Sequence, residues 1–379
     1  MTVARSPHRA WIEVDHDAIR RNLAAIRRLA PEIEVIGVVK ANAYGHGDVA
    51  VSRTLLGEGV EHLAVATVDE GLRLREAGIR VPTLVLWGIG EMEAAVVADA
   101  GLEPIVYDER SIDVLGSTAG DRPIGVHLKI DTGMQRVGAH PHAVAALVES
   151  IQERSPAVEL TGVFSHLAVA DEPDNPFTAT QIERFDDALT HVPDGLLVHL
   201  ANSAGALAHP AARRSFVRAG IAVYGISPGH GVDDLAADLR PVMSLKARIS
   251  YVKTARSGSR ISYGRRYQFS RDTTVATIPL GYADGVPRRL SSTSGQPGGS
   301  VLIRGERCPI VGTITMDQLM VDCGDLDVRS GEEVVLIGEQ EGAAGIERIT
   351  ATEWADQLGT IGYEIVCGIS ARVPRVVRP

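Results

Sequence analysis

The stretch "IEVIGVVK", residues 33–40, is a short, β-branched and nearly continuous apolar run that ends in a lysine. That texture marks a strand buried on both faces, the kind found where helices cover a parallel sheet. Before it, "WIEVDHDAIRRNLAAIRRLAPE" opens as a short alternating strand. Asp15 and Asp17 then offer N-caps to a helix with Ile19, Leu23, Ile26 and Leu29 at helical spacing. After it, "ANAYGHG" (41–47) is a polar, glycine-punctuated turn.

The alternation continues along the chain. Further candidate strands are "HLAVAT" (62–67), "TLVLWG" (83–88), "EPIVYD" (103–108), "IGVHLKI" (124–130), "LTGVFSH" (160–166), "LLVHLAN" (196–202) and "FVRAGIAV" (216–223). Helix-like segments such as "VDEGLRLREAGI" and "HAVAALVESIQER" separate most of them. Eight strands in strict alternation with helices predict a (β/α)8 barrel of the TIM type.

From Pro241 onward the runs are short and alternating, with few long helices, which predicts a C-terminal β domain. The expected division is an N-terminal strand in 1–12 packing on the β domain, a barrel in 13–235 and the β domain in 236–379. Within the last, "SSTSGQPGGS" (291–300) reads as a surface loop, and Thr350 with Glu353 as a capping box ahead of "EWADQLG".

Composition narrows the function. A length of 379 residues suits about two domains, and 45% hydrophobic with 23% charged residues is ordinary for a soluble globular protein. A formal charge of −10 argues against nucleic acid as a partner, although a few arginines can still make a local pocket for a small anion. Cys308, Cys323 and Cys367 are odd in number and scattered, which points to a reducing, cytoplasmic setting and away from a zinc site or other metal centre. The N-terminus has no apolar signal core, and no run approaches the roughly 18 apolar residues of a membrane span.

Barrel enzymes carry their chemistry at the C-terminal ends of the strands. There the sequence places Lys40 on the first strand, Lys129 and Asp131 on the fifth, His166 on the sixth, Asn202 and Ser203 on the seventh and Arg218 on the eighth. The last two loops, "ANSAG" and "AGIAVYG", have small residues that let backbone N–H groups approach an anion. A lysine opposite a phosphate cradle suggests pyridoxal phosphate. By position alone Lys40 reads as a snorkelling strand end, but a half-buried amine beside other cations has the lowered pKa that imine formation needs. Tyr44 could bond the phosphate from the same loop. His166 taken alone is a satisfied core histidine, and His46 reads as a residue that orders its loop.

Together "VVKANAYGHG", "KIDTGMQRVG", "GVFSHLAVAD", "HLANSAGAL", "VRAGIAVYG", "SYGRRY", "GYADGVPRR", "TMDQLMVD" and "IGYEIVCGISARVPR" resemble the alanine racemase family, in the family's order from residue 11 to the C-terminus. The resemblance implies a pyridoxal-phosphate barrel with a C-terminal β domain, paired head to tail in a homodimer with shared active sites. It makes Lys40 the Schiff-base lysine and the base on the D-alanine face. Tyr263, contributed by the other subunit, becomes the base on the L-alanine face, since racemisation needs an acid/base group on each side of the α-carbon. Arg218 would face the pyridine nitrogen with His166 bonded to it, and Arg136 would meet the cofactor phenolate and the substrate carboxylate. Lys129 matches a lysine that is often carbamylated to orient that arginine.

By the same resemblance Tyr44, Ser203, Tyr363 and the N–H groups of Gly220 and Ile221 hold the phosphate, with Asn202 beside them. Met316 of the other subunit offers its N–H to the substrate, while Tyr282, Asp171 and Asp317 line or support the entrance. Read singly, Tyr282 and Tyr363 are also ordinary half-buried aromatics, and Met316 is core filler. Thr313 and Thr315 stand where relatives often carry arginine and cysteine, and Gly362 where asparagine is common, which loosens the inference to alanine over serine or another amino acid. The rival readings are a barrel-plus-β-domain decarboxylase of basic amino acids and a cofactor-carrying single barrel. Arg218 argues against the first and the long β domain against the second. The resemblance further implies D-alanine supply for peptidoglycan.

Overall fold

The computed structural model describes residues 8–29, 31, 33–118 and 122–378; residues 1–7 of the expected N-terminal segment lie outside that set. The described residues form two compact units, one over 18–240 and one joining the segment before residue 18 to that after residue 240.

The first unit is a closed barrel of parallel strands, taken in sequence order: β2 (Glu34–Val38), β3 (His62–Val65), β4 (Thr83–Val85), β5 (Glu103–Val106), β6 (Ile124–Lys129), β7 (Val158–Phe164), β8 (Leu197–His199) and β9 (Phe216–Ala219). Seven of them lie within predicted runs, while β7 starts two residues before its predicted run of 160–166. Closure comes from β2 against β9, with Ile36 opposite Arg218 and Gly37 opposite Ala219. The texture of 33–40 has the cause inferred from it, since Val35, Ile36, Val38 and Val39 are all buried. The preceding helix, His16–Leu29, buries Ile19, Leu23 and Ile26, while Leu29 at its last position stays 41% exposed.

Strand β1 (Ala10–Asp15) belongs to the second unit, where it pairs antiparallel with Met243–Arg248 and parallel with Arg375–Arg378. The junctions fall at 17/18 and 240/241, not at the expected 12/13 and 235/236. At the first, Glu13 and Val14 pair with Ser244 and Met243, and the Asp15 N–H donates to Val242 O at 2.9 Å. At the second, the buried Asn22 amide brackets Arg240, donating to its carbonyl at 2.8 Å and accepting from its N–H at 2.7 Å.

The β unit holds a main sheet ordered Glu306–Pro309, Ser300–Ile303, Glu333–Gly342, Met243–Arg248, β1 and Arg375–Arg378, with Gly345–Ile349 on Glu333–Gly342. A second sheet joins Tyr251–Ala255, Thr273–Ile278 and Leu319–Gly324. Near its end Thr350 caps the helix Ala351–Leu358 by accepting from the Glu353 N–H at 2.9 Å. The reciprocal half of the expected capping box gives way to a stronger partner, for the Glu353 carboxylate pairs with Arg307.

Cys308 and Cys323, 15 residues apart in sequence, become neighbours here. The antiparallel bridge Ile310↔Val321 sets a register in which they face each other. Both are buried, and the Cys308 thiol hydrogen-bonds Cys323, which with burial holds it far above the ordinary thiol pKa; Cys367 is exposed. Thiolate and access govern thiol reactivity. One thiol, on Cys367, is therefore expected to react rapidly with an aromatic disulfide reagent in the native protein, and all three after denaturation. Rapid labelling of Cys308 or Cys323 in the native state would contradict the pairing.

Candidate active site

Lys40 follows β2 and heads a turn of unusual hand. Ala41, Asn42, Ala43 and Tyr44 have φ of 52, 55, 53 and 51°, four consecutive non-glycine residues in the left-handed region. Such a turn costs about 1–2 kcal/mol per residue for L-amino acids, so its surroundings must hold it. They do so on every side. The Ala41 N–H donates to Glu70 Oε1 at 2.6 Å, and the Ala43 N–H to Val39 O at 2.8 Å. His46, buried, brings Nδ1 to the carbonyls of Ala43 (2.9 Å) and Tyr44 (2.8 Å), and it stacks on Tyr224. Asn42 accepts from the N–H groups of Gly47 and Asp48.

Across the barrel Arg218 is buried on β9. Its NH1 donates to His199 Nδ1 (2.9 Å) and His199 O (3.0 Å), while NH2 faces Ser165 O (2.8 Å), Leu200 O (3.0 Å) and His166 Nδ1 (3.2 Å). Burial lowers its pKa to about 9, which leaves it cationic at neutral pH. Those five acceptors occupy both amino groups, so among the described residues Nε–H is the donor left over.

The cation dictates the state of the rings around it. Burial first, then Arg218, holds both His166 and His199 well below the ordinary imidazole range. His199 accepts at Nδ1, so as a neutral ring it carries its proton on Nε2, which lies 2.9 Å from His127 Nδ1. His127 Nε2 then donates to Glu103 Oε2 at 3.3 Å. Only glycine at 162 leaves room for this chain, because a Cβ there would sit 2.4 Å from the His127 ring. Phe164 stacks on His199 at 4.7 Å and carries Lys129 Nζ and Arg218 over its face.

Lys129 ends β6, buried, and its pKa is pushed down to about 8 by burial, Arg136 and Arg218. Arg136 is exposed on a turn shaped by Asp131, whose Oδ1 accepts from the N–H groups of Gly133 and Gln135.

After β8 and β9 the small-residue loops that were expected to cradle an anion come together. Ser203 Oγ accepts from the Gly220 N–H at 3.0 Å and the Ala222 N–H at 3.4 Å. The Gly220 N–H, expected at the phosphate, thus has a partner in Ser203, whereas the Ile221 N–H has no hydrogen-bond partner among the described residues. Tyr44 reaches the same place, since a Cβ on Gly220 would lie 2.5 Å from its hydroxyl. Asn202 spends its side-chain oxygen on the N-cap of Ser203–Ala208, accepting from the Gly205 N–H. Asp171 packs its carboxylate where a side chain on Gly229 would otherwise stand.

In the β unit, three loops group together by themselves. Thr313, buried, donates to Tyr263 O at 3.0 Å and accepts from Ser262 Oγ at 2.6 Å. The N–H groups of Tyr282 and Ala283 donate to the carbonyls of Thr315 and Met316. The cluster leaves Tyr263 72%, Met316 53% and Tyr282 44% exposed. Asp317 pairs with Arg372 at 2.9 Å, and Tyr363 is half-buried in the first turn of Gly362–Cys367.

Residues 14–228 match the family model for the N-terminal domain of alanine racemase, and residues 242–377 that for its C-terminal domain. The chain belongs to the alanine racemase family. Among its relatives is the alanine racemase of Symbiobacterium thermophilum, 46% identical over 373 residues and 96% of each chain. Two solved structures align closely. One is alanine racemase from D-cycloserine-producing Streptomyces lavendulae, with a TM-score of 0.90, 36% identity and coverage of 99% of this chain and 98% of that one. The other, from Bacillus anthracis with bound L-Ala-P, has a TM-score of 0.90, 37% identity and coverage of 99% and 96%.

Reasoning from sequence missed Glu70 and the His127–His199 pair. Glu70 had a visible signal, the T-x-x-E pattern Thr67–Glu70. The histidines had one too, in the matching "VHL" of "IGVHLKI" and "LLVHLAN". Because burial and Arg218 disfavour their protonation, His166 and His199 are expected to remain neutral at about pH 6, near the ordinary imidazole midpoint. Long-range nitrogen–proton spectra of the histidine rings check this, and titration of either ring near its ordinary midpoint would contradict it.

Proposed function

We propose that the protein is an alanine racemase that uses pyridoxal phosphate to interconvert L- and D-alanine, acting as a homodimer and supplying D-alanine for peptidoglycan. Family membership supports the reaction class, and the relative with bound L-Ala-P supports a small amino-acid-like ligand for that relative. The observation that carries the proposal is the buried guanidinium of Arg218, held by five acceptors with one donor to spare.

The barrel residues fit the cofactor. The orphaned Ile221 N–H, with Ser203 and Tyr44 around it, suits a phosphate, and Lys40 Nζ suits a covalent link to an aldehyde. When bound, pyridoxal phosphate supplies an electron sink that acidifies the substrate's α-carbon. Arg218 is the residue that limits that sink. At about 4 Å and an effective dielectric near 20, a second positive charge on the ring nitrogen would cost on the order of 4 kcal/mol. An acidic partner there would favour a protonated ring and the carbanion chemistry of a decarboxylase, so the buried cation favours racemisation.

Lys40 Nζ would move the proton on one face of the α-carbon and Tyr263 Oη of the partner subunit on the other. Arg136 would hold the substrate carboxylate, joined by the Met316 N–H of the partner subunit. Lys129 suits a supporting role. With a pKa near 8 it holds a useful neutral fraction at neutral pH, and the neutral amine adds carbon dioxide, releasing a proton, to give a carbamate anion that would sit more easily beside Arg136. Labelled bicarbonate is expected to give a carbamate carbon signal that strengthens as pH rises toward 8 and is absent in Lys129→Ala. A signal unaffected by that substitution would assign it elsewhere.

Chiral analysis of products from a panel of L-amino acids, incubated with the protein and pyridoxal phosphate, tests the reaction. D-alanine should dominate; release of carbon dioxide, or inversion of no substrate, would overturn the proposal. The two faces are tested separately by Tyr263→Ala, which is expected to cut α-proton exchange of L-alanine by at least about a hundredfold, the scale of a lost general base, and that of D-alanine far less. Equal losses would contradict the assignment.

A further inference from the structure

We propose that Glu70 is a positioning residue for Lys40, clamping the lysine's own peptide to the next βα unit of the barrel; this deepens the function proposed above and rests on Lys40 being its reactive amine.

Glu70 stands in the first turn of the helix Val68–Glu76, and its carboxylate is divided between two tasks. Oε2 accepts from the N–H groups of Ala66 (2.7 Å) and Thr67 (3.4 Å), completing the capping box of its own helix. Oε1 turns away to the loop after β2 and accepts from the Ala41 N–H at 2.6 Å. That N–H belongs to the peptide bond leaving Lys40. On the other side the Val39 N–H donates to Ala64 O at 2.9 Å. The backbone that carries Lys40 is therefore pinned before and after it to the β3–helix segment.

A capping box alone does not need the second oxygen to reach 29 residues back along the chain. The reach matters because Ala41 is the first residue of the left-handed turn. Its N–H must be satisfied in a conformation that L-residues disfavour, and a carboxylate gives a stronger bond there than a neutral acceptor. Released from it, the first peptide of the turn is free to rotate toward an ordinary conformation, and Lys40 would re-aim with it. Glutamine cannot replace glutamate, since its one carbonyl oxygen can serve Ala41 or the cap but not both.

The test compares Glu70→Ala and Glu70→Gln with Thr67→Val, which removes the capping hydroxyl that accepts from the Glu70 N–H and leaves the Ala41 bond in place. Two quantities are read: hydrogen exchange of the Ala41 amide in cofactor-free protein, and the rate at which Lys40 captures pyridoxal phosphate, followed by borohydride trapping and peptide mapping. Both Glu70 variants should speed Ala41 exchange and slow capture, Glu70→Ala by at least about tenfold in each, the scale of one hydrogen bond to a charged group. Thr67→Val should lower thermal stability yet leave both rates as in the unsubstituted protein. The proposal is overturned if either rate is unchanged in both Glu70 variants, or if Thr67→Val reproduces the changes. If the unsubstituted protein captures no pyridoxal phosphate at Lys40, the functional reading fails, and the exchange rates alone decide the clamp.

Discussion

Burial of the Arg218 guanidinium is the constraint around which the barrel unit is organised. A charge removed from water is tolerated only when hydrogen bonds surround it, and among the described residues no carboxylate is within hydrogen-bonding distance of this one. Three carbonyls and two imidazole nitrogens take its place. Carbonyls accept without charge, and imidazoles can accept only when neutral, so the cation fixes the protonation of its neighbours as well as their positions. The order then spreads through His199 to His127 and ends at Glu103, where a carboxylate can receive the last N–H. A barrel core ordinarily filled with branched apolar side chains has here been given over to orienting one guanidinium.

The same positive field reaches Lys129. Lys129 is depressed by its proximity to Arg136 and Arg218 as well as by burial. An amine destined to act as a nucleophile or a base gains from such a field, because it loses its proton more readily. The backbone beneath Lys40 is constrained by other means. Four left-handed residues are unfavourable in isolation, and they persist because Glu70, Asn42 and His46 supply partners that an ordinary helical turn would not meet. Strain of this sort concentrates at functional sites because the surrounding structure over-determines it.

The fold was legible from the sequence because its signals are local. Each barrel strand is a short apolar run, and the period-two texture after Pro241 separates the β domain. The junctions were misplaced because long-range pairing sets them: β1 stays with the β sheet through Ser244 and Met243, and Asn22 draws Arg240 to the barrel. At the site, residue types at strand ends pointed to Lys40, Lys129, His166 and Arg218. What escaped were the partners that act between elements. Glu70 looks like a helix cap, His127 and His199 like isolated core histidines, and Cys308 and Cys323 like scattered thiols until strand register brings them together. The Gly220 N–H, expected at the phosphate, donates to Ser203 Oγ, a partner that residue type alone does not reveal.

Thr313 is a buried polar residue whose hydrogen bonds shape the loops of the β unit. Its hydroxyl donates to the Tyr263 carbonyl and its own carbonyl accepts from the Ser262 hydroxyl, so the tyrosine's main chain is held while its ring stands 72% exposed. Met316 is exposed likewise, on a loop whose carbonyls hold Tyr282 and Ala283 in place. A flexible surface loop would leave such aromatic and thioether groups to wander, and a core would cover them. Rigid backbone beneath exposed apolar side chains is instead the form of a surface prepared for a second molecule. Under the proposed function it also meets what a shared active site would require of a donor loop, since a base delivered to another subunit must arrive already oriented.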